Sequence, residues 1–289
     1  MGSNPQSFNA EQFKAQQRQM WDNVAKGWEI WWPTIERGAQ KVSDKLVAMA
    51  EIKPGDKVLD LATGIGEPAV TAAKHVRPTG KVVATDISPQ MIAIAKSRAK
   101  SLGLDDVMEF RVSDAEMLDF PSSSFNAILS RWGLMFLPNL HMALSKIRQL
   151  LTPGGSFAAA VWSFPAKVPM LDLAFSTVRK EIKAPPPPAG TPGPFALADI
   201  EALKQSFIQA GFNDVRVQTI YVTIAFDSAE SYTKFQQQIT APIQAMLASQ
   251  TDEKKKQVWE AVTDAVGQYA DSHGRVNLDN EVICVVGRS

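Results

Sequence analysis

The chain has 289 residues, 45% of them hydrophobic, enough for one large core or for a core that carries a smaller insertion. Thirty basic and thirty acidic side chains cancel, so no strong field gathers nucleic acid or an anionic membrane surface. A single cysteine, Cys284, excludes an internal disulfide; with only three histidines it leaves no cluster at zinc spacing, which predicts no metal and suits a reducing cytoplasm.

In chain order, the amino terminus lacks the apolar stretch of a secretory signal, and no later run reaches the roughly 18 apolar residues of a membrane span. Gly2 invites comparison with a myristoylation signal, but Gln6 stands where that pattern needs Ser or Thr, and Ser7 comes one position late. In "WDNVAKGWEIWW", Trp21, Trp28 and Trp31 recur at spacings of seven and three, predicting one apolar helix face with Trp32 alongside. Residues 1–50 therefore read as an N-terminal helical cap.

Short runs rich in Val, Ile and Phe then predict strands at Lys57–Leu61, Lys81–Thr85, Met108–Val112, Phe125–Ser130 and Gly155–Trp162, with helices at Pro68–His75, Ser88–Leu102 and Leu140–Leu151. Ser88 is the expected N-cap of the second of these, Pro89 its first residue and Gly103 its stop. After Trp162 the pattern changes to an apolar helix and a Pro/Gly stretch, "APPPPAGTPGPF", too stiff and donor-poor for regular structure. Helix signals return at Leu197–Ala210, stopped by Gly211. An alternating strand, "VRVQTIYVTIAF", a largely helical Ser228–Tyr269 and a last strand, "EVICVVGRS", complete the chain. This order predicts an α/β fold: a doubly wound, mostly parallel, seven-stranded sheet with a helical insertion before the last strand. Residues 51–163 read as a ligand-binding core and 164–289 as insertions plus strands that complete the same sheet.

"VLDLATGIGEPAV" (residues 58–70) is a buried strand, a glycine turn and the start of a helix. Such a turn brings backbone N–H groups and a positive helix end up to a ligand. "GIGEPA" satisfies the dinucleotide fingerprint, and Asp86 lies where a carboxylate accepts from ribose hydroxyls. The reading to this point is a nucleoside cofactor, with NAD and S-adenosylmethionine both open. Asp60 at the strand end, able to face an ammonium group, and Pro68, which removes an amide that a pyrophosphate would use, favour the latter.

The segments "WDNVAKGWE", "VLDLATGIGE", "VVATDISPQMI", "VSDAEMLDFPSSSFNAILSRWGLMFLP" and "IRQLLTPGGSFAAAVW" together resemble class I S-adenosylmethionine-dependent methyltransferases, in particular the ubiquinone/menaquinone C-methyltransferase group. The resemblance implies a Rossmann-like fold and S-adenosylmethionine as cofactor. It implies that Asp60, Ala62, Gly64 and Gly66 surround the methionine and ribose portions, with Ala62 in place of the family's first glycine. By the same resemblance Asp86 holds the ribose hydroxyls, Ile87 packs on adenine and Met91 lines that pocket. Asp114 accepts from the adenine amino group, and the Ala115 amide reaches a ring nitrogen. Ser130 and Arg131 lie beside the reactive methyl. Trp28 stands where the family often has a tyrosine closing the site, and the segment ahead of the first strand forms a lid.

Trp132, Phe136, Trp162 and Phe164 follow the fourth and fifth predicted strands, where an open parallel sheet places its ligand. With the N-terminal tryptophans they predict a small apolar or aromatic methyl acceptor. His75, His141 and His273 offer no convincing base, and Glu67 is expected only to favour a helix start. An NAD-dependent oxidoreductase and a catalytically inactive cofactor-binding module are the competing readings.

Overall fold

A computed structural model of the protein describes residues 10–188 and 190–289; Gly2, Gln6 and Ser7 lie outside them. The apolar runs become β1 (Lys57–Leu61), β2 (Lys81–Asp86), β3 (Met108–Val112), β4 (Phe125–Arg131) and β5 (Leu151–Trp162), joined by β6 (Asn213–Phe226) and β7 (Val276–Arg288) in one sheet of order β3-β2-β1-β4-β5-β7-β6. β1 to β5 pair in parallel, and β7 runs antiparallel between β5 and β6. The central strands read as continuous apolar runs because helices cover both faces. The order reverses between β1 and β4, and a doubly wound sheet opens its ligand crevice beyond the strand ends at that point.

The crossovers are α2 (Ala69–Val76), α3 (Pro89–Ser101) and α4 (Leu140–Leu150), followed by α5 (Pro169–Ile182) and α6 (Ile200–Gln209). Ser88 caps α3 as expected, its Oγ accepting from the Met91 N–H at 3.1 Å, and Gly103 ends it with φ of 63°. The stretch expected to be helical from Ser228 to Tyr269 divides into α7 (Ala229–Ile239), α8 (Ala241–Leu247) and α9 (Asp252–Gly267). Pro242 and the Thr251 cap restart the chain at these breaks.

The N-terminal segment is one long helix, α1 (Ala10–Met49), with Pro33 inside it. Proline lacks the N–H that would bond one turn back, so α1 has a built-in weak point there. The fully buried residues divide at the same place, although Trp28 and Trp31, ahead of it, also rest partly buried on the main core. Beyond Pro33, Ile35, Ala39, Val42 and Leu46 belong to the main core. Before it, Val24 and Ala25 join a small separate cluster with Ile65, Met91 and Ala241. α1 also lies directly on backbone: a Cβ at Gly27 would sit 2.1 Å from the Gln238 carbonyl oxygen, and one at Gly38 2.3 Å from that of Thr223. Only glycine permits either approach.

The tryptophan face differs from the expected one. Trp21, Trp28 and Trp32 line a common cavity, whereas the Trp31 indole turns away, donating to Gln238 Oε1 at 2.6 Å and meeting Phe235 edge-on. At about 100° per residue, Trp32 falls about 40° from Trp28, but Trp31 falls about 60° to its other side.

Candidate functional site

The cavity lies beyond the carboxyl ends of β1, β2, β4 and β5, roofed by the first half of α1 and by α5, α7 and α8. At one end the glycine turn is held by two buried aspartates. Asp60, at the end of β1, accepts through Oδ2 from Thr63 Oγ1 at 2.6 Å and from the Ala69 N–H at 3.0 Å. Asp86, at the end of β2, accepts from the Gly64 N–H at 2.8 Å through one oxygen and from the Ser88 N–H at 2.9 Å through the other. Each Asp86 oxygen keeps a lone pair for a hydroxyl donor.

Turn geometry fits a closely approaching ligand. Gly64 has φ of 55°, and a Cβ there would meet open space, so the cavity wall is bare backbone. Ala62 adopts φ of 53° despite its side chain, a conformation that costs an L-residue about 1–2 kcal/mol. That strain falls where the resembling family has glycine.

Of the residues assigned from the sequence, Trp28, Ala62, Gly64, Asp86, Ile87, Met91, Asp114, Ala115 and Arg131 line this one cavity. Three do not. Asp60 is fully buried behind the turn and holds it from within. Gly66, with φ of 110°, faces Ala95 and Arg98 of α3, so its role is the turn itself. Ser130 donates its hydroxyl to the Leu61 carbonyl at 3.0 Å, tying β4 to β1. Among the expected aromatic walls, Phe164 is 50% exposed and outside the cavity.

Arg131 reaches the cavity with its guanidinium already engaged. It donates to Ser43 Oγ at 2.9 Å and to the Ala39 carbonyl at 3.3 Å, and it pairs with Glu36 at 3.4 Å, all on α1. Two guanidiniums flank Trp32, Arg98 at 3.7 Å and Arg131 at 5.8 Å. Trp132 continues the stack, packing against Trp162 with ring centroids 4.3 Å apart and planes 12° apart. Its φ of 62° is rare for a bulky residue; the next residue, Gly133, packs so closely on Ala62 that a Cβ would fall 2.6 Å from the alanine methyl.

The sequence reading missed Lys14, Gln17, Ile65 and Glu67 as cavity residues. No local pattern marks Lys14 and Gln17, which arrive from α1 across the molecule, whereas Ile65 and Glu67 lie within the glycine turn itself. His75 bonds the Thr71 carbonyl on its own helix.

Burial dominates the site's titration. It pushes Asp60 up to about 8, against hydrogen bonds from Thr63 and Ala69 that pull down, and its Oδ1 has no partner among the described residues. Asp86 rises to about 6 for the same reason. Burial also raises Glu36, with Arg131 opposing, and lowers Arg98. An aspartate raised by folding binds its proton more tightly in the native than in the unfolded state, so stability falls as pH rises between the two values. For Asp60 that window runs from about 4 to about 8. Asp60→Asn is expected to flatten the fall in Tm of the ligand-free protein across this window; an unchanged slope assigns it to other groups.

Residues 52–184 match a family model described as a methyltransferase domain. The demethylmenaquinone methyltransferase of Symbiobacterium thermophilum is 29% identical over 149 residues, covering 51% of this chain and 59% of that protein. The ubiquinone/menaquinone biosynthesis C-methyltransferase UbiE of Bordetella avium is 31% identical over 150 residues, covering 52% and 58%. The chain thus spans less than two thirds of the length of these relatives. Among solved structures, Haemonchus contortus phosphoethanolamine N-methyltransferase 2, bound to phosphomonomethylethanolamine and S-adenosylhomocysteine, superposes with a TM-score of 0.60 at 17% identity, covering 94% of this chain and 60% of that one. The YcgJ protein from Bacillus subtilis gives 0.55 at 17% identity, covering 86% and 98%. At these identities the structural likeness speaks for the fold, and the domain match carries S-adenosylmethionine over a nicotinamide. Residues 52–184 therefore form a methyltransferase domain with S-adenosylmethionine as its cofactor, and this part of the chain resembles the class I ubiquinone/menaquinone C-methyltransferases.

Proposed function

We propose that the protein transfers the methyl group of S-adenosylmethionine directly, in line, to a small apolar or aromatic acceptor, quinone-like as the names of its relatives suggest. The observation that carries this reading is one continuous cavity with two chemically different ends. The cofactor motifs form one end. The wall from α5, β6, α7 and α8 is apolar, including Met170, Phe175, Ile224, Phe235 and Ile239, with Thr240 as its polar member.

At the first end, Asp86 takes the ribose hydroxyls, and Ile87 and Met91 pack on adenine. Asp114 accepts from the adenine amino group and the Ala115 amide donates to the ring. The bare turn from Ala62 to Gly64 lets the ligand approach backbone. Trp28 closes the cavity from above. Asp60 and Gly66 act at one remove, by shaping the turn. The cofactor supplies a methyl carbon already activated by its sulfonium. The chain's task is therefore to align an acceptor behind that carbon and to exclude water, and such positioning contributes about 7–11 kcal/mol where it is good. The acceptor wall provides no titratable side chain, so an acceptor that ionises readily, or that is already nucleophilic, suits it.

The N-terminal cap, the core at 51–163 and the acceptor-side segment at 164–289 divide these roles. The prolines Pro185 to Pro188 are exposed and lie off the cavity; among the described residues of that stretch only Pro194 reaches it. The acceptor side is therefore narrower than the whole insertion. α9 packs behind α5 and α7.

Calorimetric titration with S-adenosylhomocysteine and with NADH tests the cofactor end, where tight binding of NADH alone would overturn the reading. A turnover screen with labelled S-adenosylmethionine against quinols, phenols and amines tests the other end and separates an enzyme from an inactive binding module. With the best acceptor, Phe175→Leu is expected to change acceptor preference several-fold and leave S-adenosylhomocysteine affinity unchanged. Unaltered preference would remove α5 from the acceptor wall.

A further inference from the structure

Lys14 is 9% exposed although it stands on the first turns of α1. Its ammonium lies 2.8 Å from Asp114 Oδ2 and 2.9 Å from Glu116 Oε2, both on the loop after β3, and 3.3 Å from the exposed Glu11. The other oxygen of Asp114 accepts from the Glu116 N–H at 2.8 Å, and the other oxygen of Glu116 accepts from the Asn139 N–H at 2.6 Å. One cation thus clasps two neighbouring carboxylates whose far sides are fixed by backbone. Removing it would leave two like charges side by side, each held on its far side by one backbone N–H and with no cation between them.

The clasp does not block Asp114. A carboxylate has about four acceptor positions, and Asp114 uses one for the Glu116 N–H and one for Lys14. Lone pairs remain on a residue that lines the cavity together with Lys14 and Ala115. Lys14 therefore sets the direction in which Asp114 offers them.

We propose that Lys14 is a positioning residue for the cofactor's base: by fixing the Asp114 carboxylate from the N-terminal helix, it makes selection of adenine over a 6-oxo purine depend on α1 being docked. This rests on the reading of Asp114 as the acceptor for the adenine amino group. Base selection and closure of the helix then become a single event, because the cation that orients Asp114 arrives with the helix. α1 is tied to the core at a second point near this end, where Ser88 Oγ donates to Asp22 Oδ1 at 2.5 Å.

The test compares S-adenosylhomocysteine with S-inosylhomocysteine, whose 6-amino group is replaced by oxygen, by calorimetry on the full chain. Lys14→Met and Lys14→Arg are measured beside the parent, with circular dichroism as the check on folding. The parent is expected to prefer the adenine compound by about tenfold or more, the value of one hydrogen bond to a charged group. Lys14→Met should reduce that preference to less than about threefold with little change in affinity for the inosine compound, and Lys14→Arg should restore most of it. Full preference retained in Lys14→Met, or equal loss of both ligands, overturns the proposal, since a helix that only covers the cavity weakens both alike. Asp114→Asn separates the underlying reading: if the parent shows no preference, or Asp114→Asn keeps it, the assignment of Asp114 falls and the proposal with it. If Asp114→Asn loses the preference while Lys14→Met keeps it, the assignment of Asp114 survives and the role of Lys14 does not.

Discussion

Deletion of residues 1–32 is expected to leave a folded sheet that binds S-adenosylhomocysteine more weakly, while methyl transfer falls by orders of magnitude. The cut falls just before Pro33, where α1 passes from the small Val24–Met91 cluster into the main core. The anchored half, with Ile35, Ala39, Val42 and Leu46, stays in place and keeps Ser43 against Arg131. The lost half takes with it Trp21, Trp28 and Trp32, the Lys14 clasp and the Asp22–Ser88 contact. Alignment and water exclusion therefore suffer more than cofactor contact does. If the helix only covered core, deletion would lower Tm or cause aggregation in proportion to the apolar area exposed. Trp28→Ala decides between the two: folded protein that transfers methyl at the normal rate with saturating cofactor refutes the lid.

Asp86→Ala should weaken S-adenosylhomocysteine binding by at least about tenfold, because charge-assisted hydrogen bonds to ribose hydroxyls are worth roughly 1.5–3 kcal/mol each. The same carboxylate also receives the Gly64 N–H, so the variant loosens the turn as well as losing the ligand contact. Titration belongs at pH 8, above the value of about 6 to which burial raises this group, so that the parent carboxylate is ionised. Unchanged affinity would remove Asp86 from the cofactor site.

The pairing of Glu36 with Arg131 illustrates why some of the site's contacts escaped the sequence, although Arg131 itself was assigned from it. Each is an ordinary charged residue in its own segment, and they meet across 95 positions of chain. Lys14 reaches Asp114 in the same way. For Ser130 the place at the end of β4 is readable, but the direction of its hydroxyl depends on which strand lies alongside. β1 does, and its Leu61 carbonyl accepts the hydroxyl's hydrogen bond.

By itself the sequence determined the strands, their order of use with intervening helices, the Ser88 cap, the Gly103 stop and the turn that brings Gly64 and Asp86 to one place. These are decided over a few residues, by side-chain periodicity, by glycine's access to positive φ and by hydroxyl capping of free N–H groups. Only the tertiary structure decided that Trp32 rather than Trp31 faces the cavity and that Asp60 braces the turn from behind. It alone decided that α1 delivers a cation to the loop after β3. Those outcomes depend on where one element's surface meets another's, and the rotation and depth at which α1 docks follow from close contacts such as Gly27 on Gln238 and Gly38 on Thr223, which no periodicity within α1 encodes.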